Sequence, residues 1–278
     1  MDSKNVIAAI SLSAAVIILY GLFFAPPPSN PNKLNEVENK KILETTSTDA
    51  PSLEQNQETF KISRDEAIKN DERIFFENNS IIGSISLLGA IIDDLTFKKY
   101  TETLNGDDNI VLLNPRNSED GYYVETGWAT TNKNIDLPNS NSIWNVEGNS
   151  KLTPVSPVKL VWTNKQNITF IKEINIDEQF LFTIDQRIIN NSDKTYNFYP
   201  YGQIIRNKAP EVTNFYILHE GLLGVFDEQL VEKDYDDIED KKYSINANSG
   251  WFGITDKYWI TSIIPESGKS FRSDFDFK

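Results

Sequence analysis

The chain predicts a mainly β body built as an antiparallel sandwich or barrel, and three observations predict it. From about Phe60 to Lys278 the sequence falls into short runs rich in β-branched and aromatic residues, separated by turn residues. Nowhere in that stretch does a long run of period 3.6 appear. No helical segments alternate with the strands, as a parallel α/β sheet would require. With more than 200 residues, the sandwich would be far larger than an immunoglobulin domain.

The elements follow in chain order. Val6 to Phe24 is almost wholly apolar, and no charge interrupts Asn5 to Asn32. As a helix those residues span about 28 Å at roughly 1.5 Å per residue, near the ~30 Å of a bilayer's hydrocarbon. A cleavable signal usually has an apolar region of only ~7–15 residues, and no small-x-small cleavage pattern precedes Pro26-Pro27-Pro28. Residues 1–25 are therefore expected to form an uncleaved transmembrane signal anchor, its short head carrying Lys4 inside and the body exported. Residues 26–59, rich in Pro, Asn, Ser, Thr and Glu, hold too little apolar surface to offset ordering and are expected to be a disordered linker. Residues 60–278 form the folded domain.

Arg64 to Arg73 predicts one or two helical turns leading into the first strand. Strands are expected over Ile81–Leu88, Ile91–Tyr100, Ile110–Leu113 and Tyr122–Trp128. Val158–Trp162 and Ile168–Ile176 flank an Asn164-Lys165-Gln166-Asn167 turn. Phe180 to Ile188 alternates cleanly, with Phe180, Phe182, Ile184 and Ile188 on one face and Thr183, Asp185 and Arg187 on the other. The turn at Asn190–Lys194 then predicts a hairpin with Thr195–Tyr201. The end, Ser270 to Lys278, alternates as a strand.

Composition excludes whole chemistries. The 278 residues carry 27 Lys and Arg against 41 Asp and Glu, a formal charge of −14. Phosphate recognition needs a basic surface, so nucleic acid is excluded as a partner. With no Cys, thiolate metal sites, disulfides and Cys nucleophiles are impossible, and the one His rules out a His–His pair. The expectation is no catalytic, cofactor-binding or metal-binding residue. Gly221-Leu222-Leu223-Gly224 lacks a third glycine and reads as a turn. Glu232 to Asp240 lacks the sharp-turn Gly of a calcium loop and reads as a solvated loop. Asp93-Asp94 and Asp107-Asp108 read as turn-flanking acids at strand ends, because neighbours on a strand point to opposite faces. His219, beside Glu220, reads as a structural hydrogen-bonder. Trp128, Trp144, Trp162, Trp251 and Trp259 could stack on sugars but read first as core.

Several blocks together carry a resemblance. The uncharged anchor after Met1-Asp2-Ser3-Lys4-Asn5, the linker, and Gly83 to Leu95 (GSISLLGAIIDDL) are similar to the start of bacterial YidC membrane protein insertases. So are Asn197-Phe198-Tyr199-Pro200-Tyr201-Gly202, Phe215 to Gly221 and, above all, Gly250 to Trp259 (GWFGITDKYW), in the family's order. The resemblance implies one transmembrane helix and a periplasmic β-supersandwich, similar to galactose mutarotase. It implies a non-catalytic interaction domain at the bacterial inner membrane. The partners it implies are nascent inner-membrane proteins, the Sec translocon with its accessory subunits, and the bilayer through residues 6–24. No second apolar span follows Phe24, so the family's five-helix insertase region and its groove Arg are not matched, and the chain is expected to be a fragment. Two other readings stay open: a membrane-tethered carbohydrate- or peptide-binding sandwich, and an aldose-epimerase-like enzyme.

Overall fold

Alternating burial along each strand builds the protein. In the computed structural model, residues 62–104, 106–210, 219–239, 241–256 and 258–277 are described. The anchor and linker expectations, 1–25 and 26–59, lie outside them. Among the described residues no helix is long and apolar enough to cross a membrane.

Helix α1 (Arg64–Asn70) opens the fold with a capping box: Glu66 N–H donates to Ser63 Oγ, and Ser63 N–H donates to the Glu66 carboxylate at 3.2 Å. Strand β1 (Arg73–Glu77) follows, and β2 (Ile81–Ser86), β3 (Ile91–Thr101), β4 (Asn109–Leu113) and β5 (Tyr122–Ala129) lie close to their expected bounds. Short strands β6 (Asn145–Glu147) and β7 (Lys151–Leu152) precede β8 (Val158–Thr163), β9 (Ile168–Ile176), β10 (Phe182–Asn190) and β11 (Tyr199–Arg206). The first sheet runs β11-β5-β3-β2-β1-β7, with β4 also on β3, and the second runs β10-β9-β8-β6. Within these two sheets the strand pairings are antiparallel except the two-residue β1–β7 contact, and an isolated parallel bridge joins Ile62 to Ser118.

The two sheets face each other across one apolar core. Ile74, Phe76, Ile81 and Ile85 meet Leu160, Ile168, Phe170 and Ile174, all essentially fully buried. Rings lock the contact edge-on: Phe76 on Phe182 at 5.1 Å, and Phe198 on Phe170 at 5.6 Å. The expected β8–β9 turn forms because Asn164 Oδ1 accepts from the N–H groups of Gln166 and Ile168, while Asn167 takes a left-handed φ of 61°.

Beyond β11 come β12 (Gly221–Phe226), β13 (Gln229–Lys233), helix α2 (Tyr235–Glu239), β14 (Tyr243–Ala247), β15 (Gly250–Thr255), β16 (Ile260–Ile263) and β17 (Phe271–Phe275). They form a four-stranded sheet β13-β12-β15-β16 and a pair β14-β17, around a second cluster of Phe226, Ile238, Ala247 and Phe275.

Five expectations are corrected. Thr195–Tyr201 does not return on β10: β10 pairs with β9, and β11 pairs with β5, from Tyr199↔Ala129 to Arg206↔Tyr122. The hairpin partner of β10 is reached instead through Asp177, whose Oδ1 accepts from Gln179 and Leu181 N–H, and the strand starts at Phe182 rather than Phe180. Gly221–Gly224 is strand, not turn: a Cβ on Gly224 would meet the Trp251 carbonyl at 2.7 Å, so its glycine permits close backbone approach. The acidic run is not all loop, since α2 turns Ile238 into the second cluster. Asp93 and Asp94 sit inside β3, deep in the protein.

Candidate functional site

The densest chemistry lies where α1 meets β1–β3. The β2–β3 register slips between Ser84, which pairs with Asp94, and Ile85, which pairs with Ile92. Asp93 is the extra residue of this bulge, and a bulge re-aims side chains. Both carboxylates therefore enter one buried network instead of opposite faces. The Arg73 guanidinium pairs with Asp93 and donates through Nε to Ser84 Oγ at 2.8 Å. Ser84 Oγ donates in turn to Asp94 at 2.6 Å, and Arg64 on α1 pairs with Asp94. Burial pushes the Asp93 carboxyl up to about 6, while Arg73 pulls it down. Every charge here has an ionic partner, and the arrangement ties α1 to the sheet.

A second buried charge crosses the sandwich. Lys172 lies on the core face of β9 in register with Ile168, Phe170, Ile174 and Ile176, and only 1% of it is exposed. Its Nζ donates to the Thr126 carbonyl at 2.6 Å on the facing sheet and sits 5.0 Å over the Trp144 ring. Burial pushes this amine down to about 7, against a smaller upward pull from Glu125. Glu125 itself is buried and accepts from Tyr201 Oη at 2.9 Å. Burial, and then Glu125, push the Tyr201 phenol above its usual range. Gly127 makes room for that phenol, since a Cβ there would meet Tyr201 Oη at 2.6 Å.

A cavity of about 260 Å³ opens between β4, the end of β11 and the loop after β15. Arg206, Asp256, Asn114 and Trp259 are among its walls. Arg206 pairs with Asp256 at 2.6 Å and covers the Tyr122 ring at 4.8 Å. Trp259 leans on Phe97 at 4.4 Å.

The residues singled out from sequence scatter. His219 meets not Glu220 but Asp234 through Nδ1 at 3.1 Å, and its Nε2 faces the Leu222 carbonyl at 3.2 Å. Both partners are acceptors, so a neutral imidazole donates to only one of them at a time. Asp107 and Asp108 are exposed just before β4. Trp128 and Trp144 are buried and stacked at 6.3 Å; Trp162, Trp251 and Trp259 are half-buried. Among the described residues no cluster of three metal-ligating side chains occurs. Arg64, Arg73, Lys172 and the Glu125–Tyr201 pair were not anticipated. Lys172 left a signal, a lone cation in the apolar phase of a strand; the others left none, because their partners are distant in sequence.

Comparison with known proteins bears on the whole chain. The family model for the YidC periplasmic domain matches residues 73–277. A membrane protein insertase YidC of Pelagibacter ubique is 58% identical over 278 residues, all of this chain and 49% of that protein. Those of Rickettsia bellii and Rickettsia prowazekii are 36% and 38% identical, each over 98% of this chain and 48% of the relative. The chain thus spans about half the length of the curated relatives it matches. With its periplasmic-domain match over β1 to β17 and this similarity along its full length, the chain belongs to the YidC family of membrane protein insertases.

Proposed function

We propose that the chain is the amino-terminal part of a membrane protein insertase that assists the insertion, folding and assembly of integral membrane proteins. Its body would be a non-catalytic periplasmic interaction domain at the bacterial inner membrane. The observation that carries this reading is the 58% identity to the Pelagibacter ubique insertase over all 278 residues. Residues 1–25 would anchor the chain, with 6–24 in the bilayer, and residues 26–59 would tether the body, 60–278. The body would be a β-supersandwich of the galactose mutarotase type, which the facing seven- and four-stranded antiparallel sheets support. Its partners would be nascent inner-membrane proteins and the Sec translocon.

The test is a hybrid in which this chain replaces the matching half of the Pelagibacter ubique insertase. Produced in insertase-depleted bacteria, it should restore membrane insertion of a reporter protein, and alkaline extraction of the 278-residue chain produced alone should leave that chain in the membrane. A hybrid that accumulates in the inner membrane yet restores no insertion would refute the functional reading. Release of the chain by alkali would refute the anchor.

A further inference from the structure

Strand β10 closes one side of the four-stranded sheet, and among the described residues its outer edge pairs with nothing. The ladder's ends set which groups face outward. Asn191 N–H donates to the Asn167 carbonyl at 3.1 Å, and Asp177 N–H donates to the Leu181 carbonyl at 3.0 Å. Odd-numbered residues of β10 therefore turn their backbone groups toward β9. Phe182, Ile184, Gln186, Ile188 and Asn190 turn theirs outward.

The outer face of this sheet carries a row of charges across the strands. Glu147 lies opposite Lys159 and bonds it at 2.6 Å; Lys159 lies opposite Glu173, and Glu173 lies opposite Asp185. The row alternates until its last step, where two acids face each other, a destabilising pair. Glu173 is engaged by Arg187 at 2.8 Å, whereas Asp185 has no ion pair among the described residues. Asp185 and Arg187 are placed symmetrically about Gln186.

We propose that two copies of this chain associate through β10, antiparallel, about a two-fold axis at Gln186. In that register the outward groups of Gln186 meet those of its own copy, and Ile184 exchanges hydrogen bonds with the other Ile188. Asp185 then lies directly opposite Arg187 of the second copy, in the closely spaced position where side chains interact most strongly. Asp185, faced by Glu173 within its own sheet, thereby gains a cation on its open side, and the same contact repeats across the axis. Thr183 falls opposite Ile189, which is 48% exposed in the single chain. Charges on an edge strand commonly discourage pairing. Here they are self-complementary in one register and mismatched when it slips by two residues, so they select a partner. The interface is isologous and uses up the β10 edge of each copy, so this contact closes at two copies.

The chain has no cysteine, which makes the register directly testable. The whole 278-residue chain carrying Thr183→Cys and Ile189→Cys is oxidised in detergent micelles and resolved without reductant. A disulfide-linked dimer is expected, because cross-strand Cα spacing suits the bond. Adding Asp185→Arg sets Arg against Arg and should lower the yield about tenfold, and adding Arg187→Asp to that variant should restore it. Light scattering of the cysteine-free chain should show mass rising with concentration, again abolished by Asp185→Arg and rescued by the double swap. A chain that stays monomeric and uncrosslinked overturns the proposal and leaves the edge to an extended segment of another protein. Crosslinking indifferent to the charge swap overturns it too.

Discussion

Asp93 and Asp94 are neighbours in sequence, yet the β-bulge in β3 delivers both carboxylates to one buried network, Asp93 onto Arg73 and Asp94 onto Arg64 and Ser84. The Arg73 and Asp93 side chains are 2% and 3% exposed, whereas Arg64 is 30% exposed. Removing one partner of a fully buried pair strands the other, so Arg73→Ala should lower unfolding free energy by about 3–5 kcal/mol. Arg64→Ala should cost only about 1 kcal/mol. Urea titration measures both, and hydrogen exchange should show Arg64→Ala loosening α1 while β1–β3 stay protected.

Asp93 also makes stability depend on pH. Its folded carboxyl holds a proton up to about pH 6, against a usual value of 3.8. Between those values the folded state binds more protons, so this group's contribution falls as pH rises and is worst above pH 6. Asp93→Asn lacks that penalty. Relative to the parent, it should gain roughly 2 kcal/mol between pH 4.5 and pH 7. An unchanged difference at the two pH values would contradict the burial argument.

Lys172 carries the opposite slope. Its amine loses its proton near pH 7 in the fold and near 10.5 in the unfolded chain. Below pH 7 both states are charged and the folded protein bears the full cost. Above it the unfolded state binds more protons, and stability rises with pH. Lys172→Met keeps volume and removes the charge, so it should raise the melting temperature at pH 6 and abolish the alkaline rise. Calorimetry at pH 6 and pH 9 decides this; a variant less stable than the parent at pH 6 would mean that the bonds to Thr126 and Ala90 outweigh desolvation.

Two glycines with left-handed φ should respond very differently to alanine. At Gly250, φ +129°, a Cβ would lie 1.8 Å from the Val225 carbonyl oxygen, so the β12–β15 pairing must open. At Gly148, φ +88°, a Cβ meets nothing within 4 Å. Gly148→Ala should therefore cost only about 1 kcal/mol, the backbone strain itself, and Gly250→Ala at least about 3 kcal/mol. Denaturant midpoints of the two variants test the ordering.

The strands were legible because alternation is a local signal: β2, β3, β5, β8 and β9 begin and end close to where their apolar phase does. Pairing was less so. The Asn190–Lys194 turn announces a reversal, and the chain does reverse, but the partner of Tyr199–Arg206 is β5, some seventy residues earlier. Turn chemistry states where a strand ends and not which edge is vacant. Glu232–Asp240 hid a helical turn because only Ile238 marks its buried side. The charged core was invisible for another reason. Two adjacent acids alternate faces on a regular strand, and only the register slip at Ser84 sends Asp93 and Asp94 the same way. The family was readable from blocks such as Gly250 to Trp259, where close-packed glycines leave few alternatives.

The β5–β11 pairing also sets a timetable. Arg206 must be available before Tyr122 has a partner on that side, so a chain delivered from its amino end holds β5 waiting while about eighty residues follow. Such long-range closure is slow, since the entropy of the loop is lost before any contact compensates it. During that interval β5 is an open template, and the first sheet is the place where interrupted delivery would leave the protein sticky.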